Sequence, residues 1–180
     1  WDYAKSAYDE GYGEDQDKAP VHERAIYFYR DKNQPLLITV DRLSDTNSST
    51  ATHDWDILWH IDSEVEKQTD KYIRFADADI AWSNGETSII AGQETPEWQG
   101  FIATGTKQGM YRAVPCVDTK VKANKVRIVT VFAPNKEGDV KTKHLSGVKA
   151  STDLADTAIT LEFDDGSVWT LDEKKLSGLA

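Results

Sequence analysis

The sequence predicts an all-β fold, a two-layer antiparallel β-sandwich of about a dozen strands. Three observations predict it. Short runs rich in Val, Ile, Thr, Tyr and Trp recur along the chain. Turn-forming residues separate these runs at close spacing. No segment carries convincing helical periodicity.

The elements follow in chain order. Residues 1–20 are rich in Asp, Glu, Tyr and Gly without periodicity, and read as an irregular lead-in. Residues 21–180 read as one β-sandwich domain. In RAIYFYR (24–30), Tyr27 and Tyr29 share one face and Ile26 and Phe28 the other, the pattern of a central strand. DKNQP turns the chain into LLITV (36–40), a continuous apolar run suited to a buried strand. In DWDILWHI, period two places Trp55, Ile57, Trp59 and Ile61 on one face, read as core. Asp54, Asp56, Leu58 and His60 share the other, a solvent face or polar cleft. Asn84-Gly85 between ADIAWS and ETSIIAG is a hairpin signal. FIATGT and MYRAVPCV flank the KQG turn, and KVRIVTVFAP is a strand ended by Pro134. TAITLEF and SVWTL form a closing hairpin around Asp164-Asp165-Gly166.

Charge and composition exclude several function classes. The 180 residues carry 21 Lys and Arg against 31 Asp and Glu, a net charge of −10. No basic run supplies a nucleic-acid-binding face, so no nucleic-acid partner is expected. No apolar run is long enough for a membrane-spanning helix, and no membrane partner is expected. The single cysteine, Cys116, excludes an intrachain disulfide and a CxxC zinc motif. It lies in AVPCVDT and reads as a buried, inert thiol. The chain opens on WDYAKSAYDEGYGEDQDK without methionine or signal peptide, which reads as a mature N-terminus or a piece of a longer polypeptide.

Catalytic chemistry finds little support. His22, His53, His60 and His144 form no close metal-ligand spacing, and no metal or cofactor is expected. There is no GxSxG and no phosphate-cradling glycine loop. Asp164-Asp165 read as solvated turn residues, and Asp54 with Asp56 lie on one strand rather than across a cleft. No catalytic residue is assigned. The six Trp and seven Tyr are more suggestive, since exposed rings stack on sugars. Trp82, Trp98 and His60 are the candidate carbohydrate contacts, with Trp169 a further exposed candidate. The competing reading places the tryptophans in the core, with His60 bracing an interface.

HERAIYFYRDKNQPLLITVDRLSDTNSSTATHDWDILWHID resembles part of the C-terminal β-sheet domain of heparinase II/III-like polysaccharide lyases. The similarity rests on His22 and Arg24 opening a strand, Asp41-Arg42 ending the next, His53, and Trp59-His60. GMYRAVPC, VRIVTVFAP and LEFDDGSVWTL extend it, with departures. The resemblance implies β-elimination of uronic-acid polysaccharides, heparan and alginate among them. In that chemistry a base takes the proton α to the uronate carboxylate and an acid protonates the leaving oxygen. In such lyases the catalytic Tyr sits in an upstream α/α toroid, and a further His comes from an HxH motif. This chain has neither segment, so no catalytic or zinc-binding residue carries over. Asp41, Arg42 and Arg24 then read as structural. The implied partners are the toroid of the same polypeptide and polysaccharide, and the implied location is periplasmic or secreted in a bacterium. The alternatives are a stand-alone carbohydrate-binding module, a purely structural sandwich, and an unrelated β-sandwich enzyme.

Overall fold

The computed structural model describes residues 1–10, 20–48, 50–107, 109–135 and 142–178. Its centre is a seven-stranded antiparallel sheet. The order is β1 (Asp2–Tyr8), β2 (Pro20–Tyr29), β3 (Leu36–Asp45), β12 (Lys125–Pro134), β7 (Ala78–Trp82), β6 (Tyr72–Phe75) and β5 (Val65–Gln68). A three-stranded sheet contains β4 (His53–His60), β11 (Cys116–Ala123) and β8 (Glu86–Ile90). Another contains β13 (Leu145–Lys149), β14 (Ala158–Phe163) and β15 (Val168–Asp172), and the chain continues into the helix α1 (Glu173–Ser177). A small hairpin pairs β9 (Phe101–Ala103) with β10 (Tyr111–Ala113).

The fold is an all-β antiparallel sandwich, and β12 shows how its layers are built. Successive residues of a strand point to opposite faces. Val129, Val131 and Ala133 are buried with Leu145, Val148, Ile159, Leu161 and Phe163 of the β13–β15 sheet. Val126 and Ile128 are buried with Trp55 and Ile57 of β4. The two small sheets therefore cover opposite faces of the central one, adding a third layer to the two that the sequence suggests. β3 alternates likewise, with Leu36, Ile38 and Val40 in the first core and Leu43 in the second. Trp55 and Ile57 are buried while Asp54, Asp56 and His60 are exposed, as period two requires.

Four local expectations change. Residues 2–8 of the expected lead-in form β1, an edge strand paired with β2 from Asp2↔Phe28 to Tyr8↔His22. Tyr3, with the preceding Trp1, packs on the core, and the rest of β1 is polar or small apart from Tyr8, so its pairing has little local signature. β2 is not buried on both faces. Ala25 and Tyr27 are core, whereas Ile26 and Phe28 are exposed. Asn84-Gly85 makes no hairpin, because β7 and β8 belong to different layers. There the Asn84 Nδ2 donates to the carbonyls of Arg127 and Ala150. Gly85 has φ of 105°, and a Cβ on it would lie 2.7 Å from Thr119 Cγ2. The turn is a crossover between sheets, fixed by these tertiary contacts. Finally, α1 is a five-residue helix, too short for periodicity to reveal, whose N-cap Asp172 accepts from Lys174 N.

The closing hairpin agrees with expectation. β14 and β15 pair around Gly166, whose φ is 81°.

Candidate functional site

The three candidate sugar contacts differ in exposure. Trp82 is 5% exposed and packs with Ile73, Phe75, Ile80 and Val117. It offers no open face to a sugar ring. Trp169 is half-buried against Phe163 and Tyr29. Trp98 is 56% exposed. His60 ends β4, exposed, its backbone paired with Cys116. Ile61 N donates to Pro115 O and Val114 N to Gly100 O, so His60 and Trp98 lie toward one end of the β4–β11–β8 sheet.

Trp98 belongs to an aromatic group that the sequence reading missed. Its ring centroid is 4.8 Å from Phe101 and 4.9 Å from Tyr111, with Phe101 and Tyr111 5.3 Å apart. The register explains the meeting. Phe101 opposes Ala113 and Tyr111 opposes Ala103, so both rings stand on one hairpin face as diagonal neighbours. Rings this close pack on one another and leave no slot between them. The open surface is the outer side of Trp98 and Tyr111, extended by exposed Met110. The signal was legible: two short aromatic runs flank a glycine-containing turn.

The outer face of the β4–β11–β8 sheet is a ladder of charges. Cross-strand pairs place Lys122 opposite Asp54, and Lys120 between Asp56 and Glu86. These residues, with Trp55, Gly85 and Val121, line a cavity of about 650 Å³. Next along β11, Asp118 is buried, and its Oδ1 has no hydrogen-bond partner among the described residues. Burial pushes its carboxyl above the usual range, with the Asp56 charge adding to this and Lys120 opposing it. Asp118, then Asp56, hold the Lys120 ammonium above its usual value. Cys116 is fully buried, and burial likewise raises its thiol, so it is a poor nucleophile.

Groups suited to acid–base or anion chemistry are mostly engaged in holding the fold. The Nε2 atoms of His22 and His53 lie 2.6 and 2.8 Å from Asp41 and Asp45, and His144 Nδ1 lies 3.1 Å from Asp79. All three aspartates are buried. Every arginine in the sequence pairs with a carboxylate: Arg24 with Asp41, Arg30 with Asp2, Arg74 with Asp79, Arg112 with Asp62, and Arg42 and Arg127 with Glu173. Arg42 also donates to Leu154 O, tying down that loop. Among the described residues, no group of three or more His, Cys, Asp or Glu is placed to hold a metal ion.

No family model matches the chain, and no curated protein does. Solved structures do. The chain is similar in fold to heparinase III, the BT4657 gene product, with a TM-score of 0.59 at 16% identity. The match covers 87% of this chain and 24% of that one. The lysine-methylated form of the same protein matches with a TM-score of 0.58 at 16% identity. At this identity the likeness shows a shared fold alone. The chain spans about a quarter of the length of the heparinase it matches.

Proposed function

We propose that this chain is the C-terminal β-sandwich portion of a heparinase II/III-like polysaccharide lyase, bracing the catalytic part without performing the chemistry. The observation that carries the reading is the likeness in fold to heparinase III over 87% of the chain. The engaged histidines and arginines support the non-catalytic role. β-Elimination needs a base at the α-proton and a group that neutralises the uronate carboxylate. Here every guanidinium already has a carboxylate partner, and three of four imidazoles are held by buried aspartates. A net charge of −10 also opposes the approach of a polyanion.

The test is the native gene product of the producing organism, sized by immunoblot and assayed for unsaturated uronate released from heparan sulfate and alginate. The reading expects a band several times heavier than 20.2 kDa and turnover that the 180-residue chain lacks. A band at 20.2 kDa, or turnover by the chain alone, refutes it.

A carbohydrate-binding module is the second reading, favoured by the exposed Trp98 on its aromatic base. It expects glycan affinity that Trp98→Ala abolishes while the unfolding midpoint is unchanged.

A further inference from the structure

The central sheet has an open apolar area beyond the margin of the β4–β11–β8 sheet. Residues opposite one another in antiparallel strands share a face. On β1 and β2 this face carries Tyr8 with His22, Ser6 with Arg24, Ala4 with Ile26, and Asp2 with Phe28. The covering sheet reaches it at Trp59, where the Arg24 guanidinium lies 4.5 Å from the indole centroid. Past that point Ile26 and Phe28 are 36% and 38% exposed; on the other side of Arg24, opposite His22 on the edge strand, Tyr8 is 45% exposed.

The face continues across the sheet. Phe28 opposes Leu37, and Leu37 opposes Phe132. Phe28, Pro35 and Pro134 line a hollow of about 440 Å³, with Arg30, Asp31, Lys32, Asn135 and Thr142 at its sides. Among the described residues, the charges at its lining are Arg30 and Lys32 against Asp31, with Asp2 paired to Arg30, in a chain whose net charge is −10. A locally balanced rim around an apolar floor is the composition of a surface that another protein body covers. It is unlike a glycan platform, which presents open rings among polar groups.

We infer that this Tyr8–Ile26–Phe28 face is where the larger, non-matching part of a heparinase-like lyase seats, inserting an apolar side chain into the Phe28–Pro35–Pro134 hollow. The inference rests on the proposed lyase reading. Its occupant is chosen because the matching fold accounts for only 24% of the heparinase III chain, leaving a much larger body to be packed against it. The opposite face of β2 is already occupied, with Ala25 and Tyr27 in the core. This leaves the Ile26 and Phe28 side for a further partner.

Hydroxyl-radical footprinting of the full-length gene product tests the face without mutation. Tyr8 and Tyr111 are exposed to the same degree in this chain, 45% and 44%. Tyr8 and Phe28 are expected to oxidise several-fold more slowly than Tyr111 and Trp98 in the intact lyase, at all protein concentrations. Equal oxidation of Tyr8 and Tyr111 in an active lyase overturns the face and leaves the lyase reading standing. Protection that vanishes on dilution assigns the face to a second copy and also overturns the inference. A gene product with no lyase part overturns both. As a second measurement, Ile26→Asp with Phe28→Asp should lower the melting temperature and turnover of the gene product. Val168→Asp, at an apolar residue 57% exposed on β15, should change neither. A lyase indifferent to the first pair refutes the seat.

Discussion

Replacing Glu173 by Ala tests the buried ion network that fastens α1 and the β14 sheet to the centre. Arg127 is fully buried and donates to Glu173 Oε1 from Nε at 3.0 Å and from Nη2 at 2.6 Å. Arg42 Nη2 reaches the two carboxylate oxygens at 2.9 and 2.8 Å, and the Tyr27 hydroxyl donates to Oε2 at 3.2 Å. Removing the carboxylate leaves the Arg127 charge buried with the carbonyls of Ser151 and Ala158 as its hydrogen-bond partners among the described residues. A buried pair broken on one side costs about 3–5 kcal/mol. For a domain of this size, that corresponds to a melting temperature lower by roughly 6–20 °C. The assay is urea unfolding followed by tryptophan fluorescence, with the midpoint lowered at unchanged slope. The double variant Arg127→Met with Glu173→Met should lose less than Glu173→Ala, because no charge is then stranded beside Ala158. A loss below about 1 kcal/mol for Glu173→Ala would be that of a solvated surface pair and would refute the reasoning.

Other outcomes follow from the same structure. Trp82→Ala should cost about 3–5 kcal/mol in equilibrium unfolding, since it empties a core position; a cost near zero would return Trp82 to the surface. Asp118→Asn should raise the melting temperature at pH 7 and leave it unchanged near pH 3. Burial raises the folded-state pKa, so ionisation of Asp118 subtracts stability as pH rises through that value. An equal effect at both pH values would show that its charge is irrelevant. Asp45 has the opposite sign, because its hydrogen bond with His53, and then that from Ser48 N, hold its carboxyl below the usual range. Its contribution is present above the unfolded value near 4 and is lost as pH falls through the lower folded value. His53→Ala should therefore flatten the acid limb of the stability profile, as read by melting temperature against pH. Cys116 should react with a disulfide reagent only on unfolding; fast reaction of the native protein would contradict its burial.

Much of the fold was legible because its strands are locally explicit. LLITV and VRIVTVFAP hold β-branched residues on both faces, and both became strands deep in the central sheet. Period two in DWDILWH separated core from exposed side chains before any contact was known. Where the local pattern was polar, as in β1, pairing came from β2. Asn84-Gly85 correctly marked a turn, but a turn signal carries no information about which sheet the next strand joins.

The candidate site was less legible. Trp82 and Trp98 look alike in sequence, each beside a turn, yet one lies under a covering sheet and the other stands on a hairpin. Arg127 interrupts an apolar run, which marks a buried charge in need of a partner, but Glu173 lies 46 residues away. Ile26 and Phe28 signalled a strand apolar on both faces, and only the extent of the β4–β11–β8 sheet left that side open.

The sequence by itself determined the all-β class, most strand positions, the inert cysteine and the lack of a run of Lys or Arg. Each follows from residue type and spacing along a short stretch of chain. The tertiary structure decided the third layer, the joining of β7 to one sheet and β8 to another, the burial of Trp82, and the engagement of every arginine. These depend on which distant segments meet, and in a sheet protein the pairing free energy comes from partners that sequence spacing does not specify.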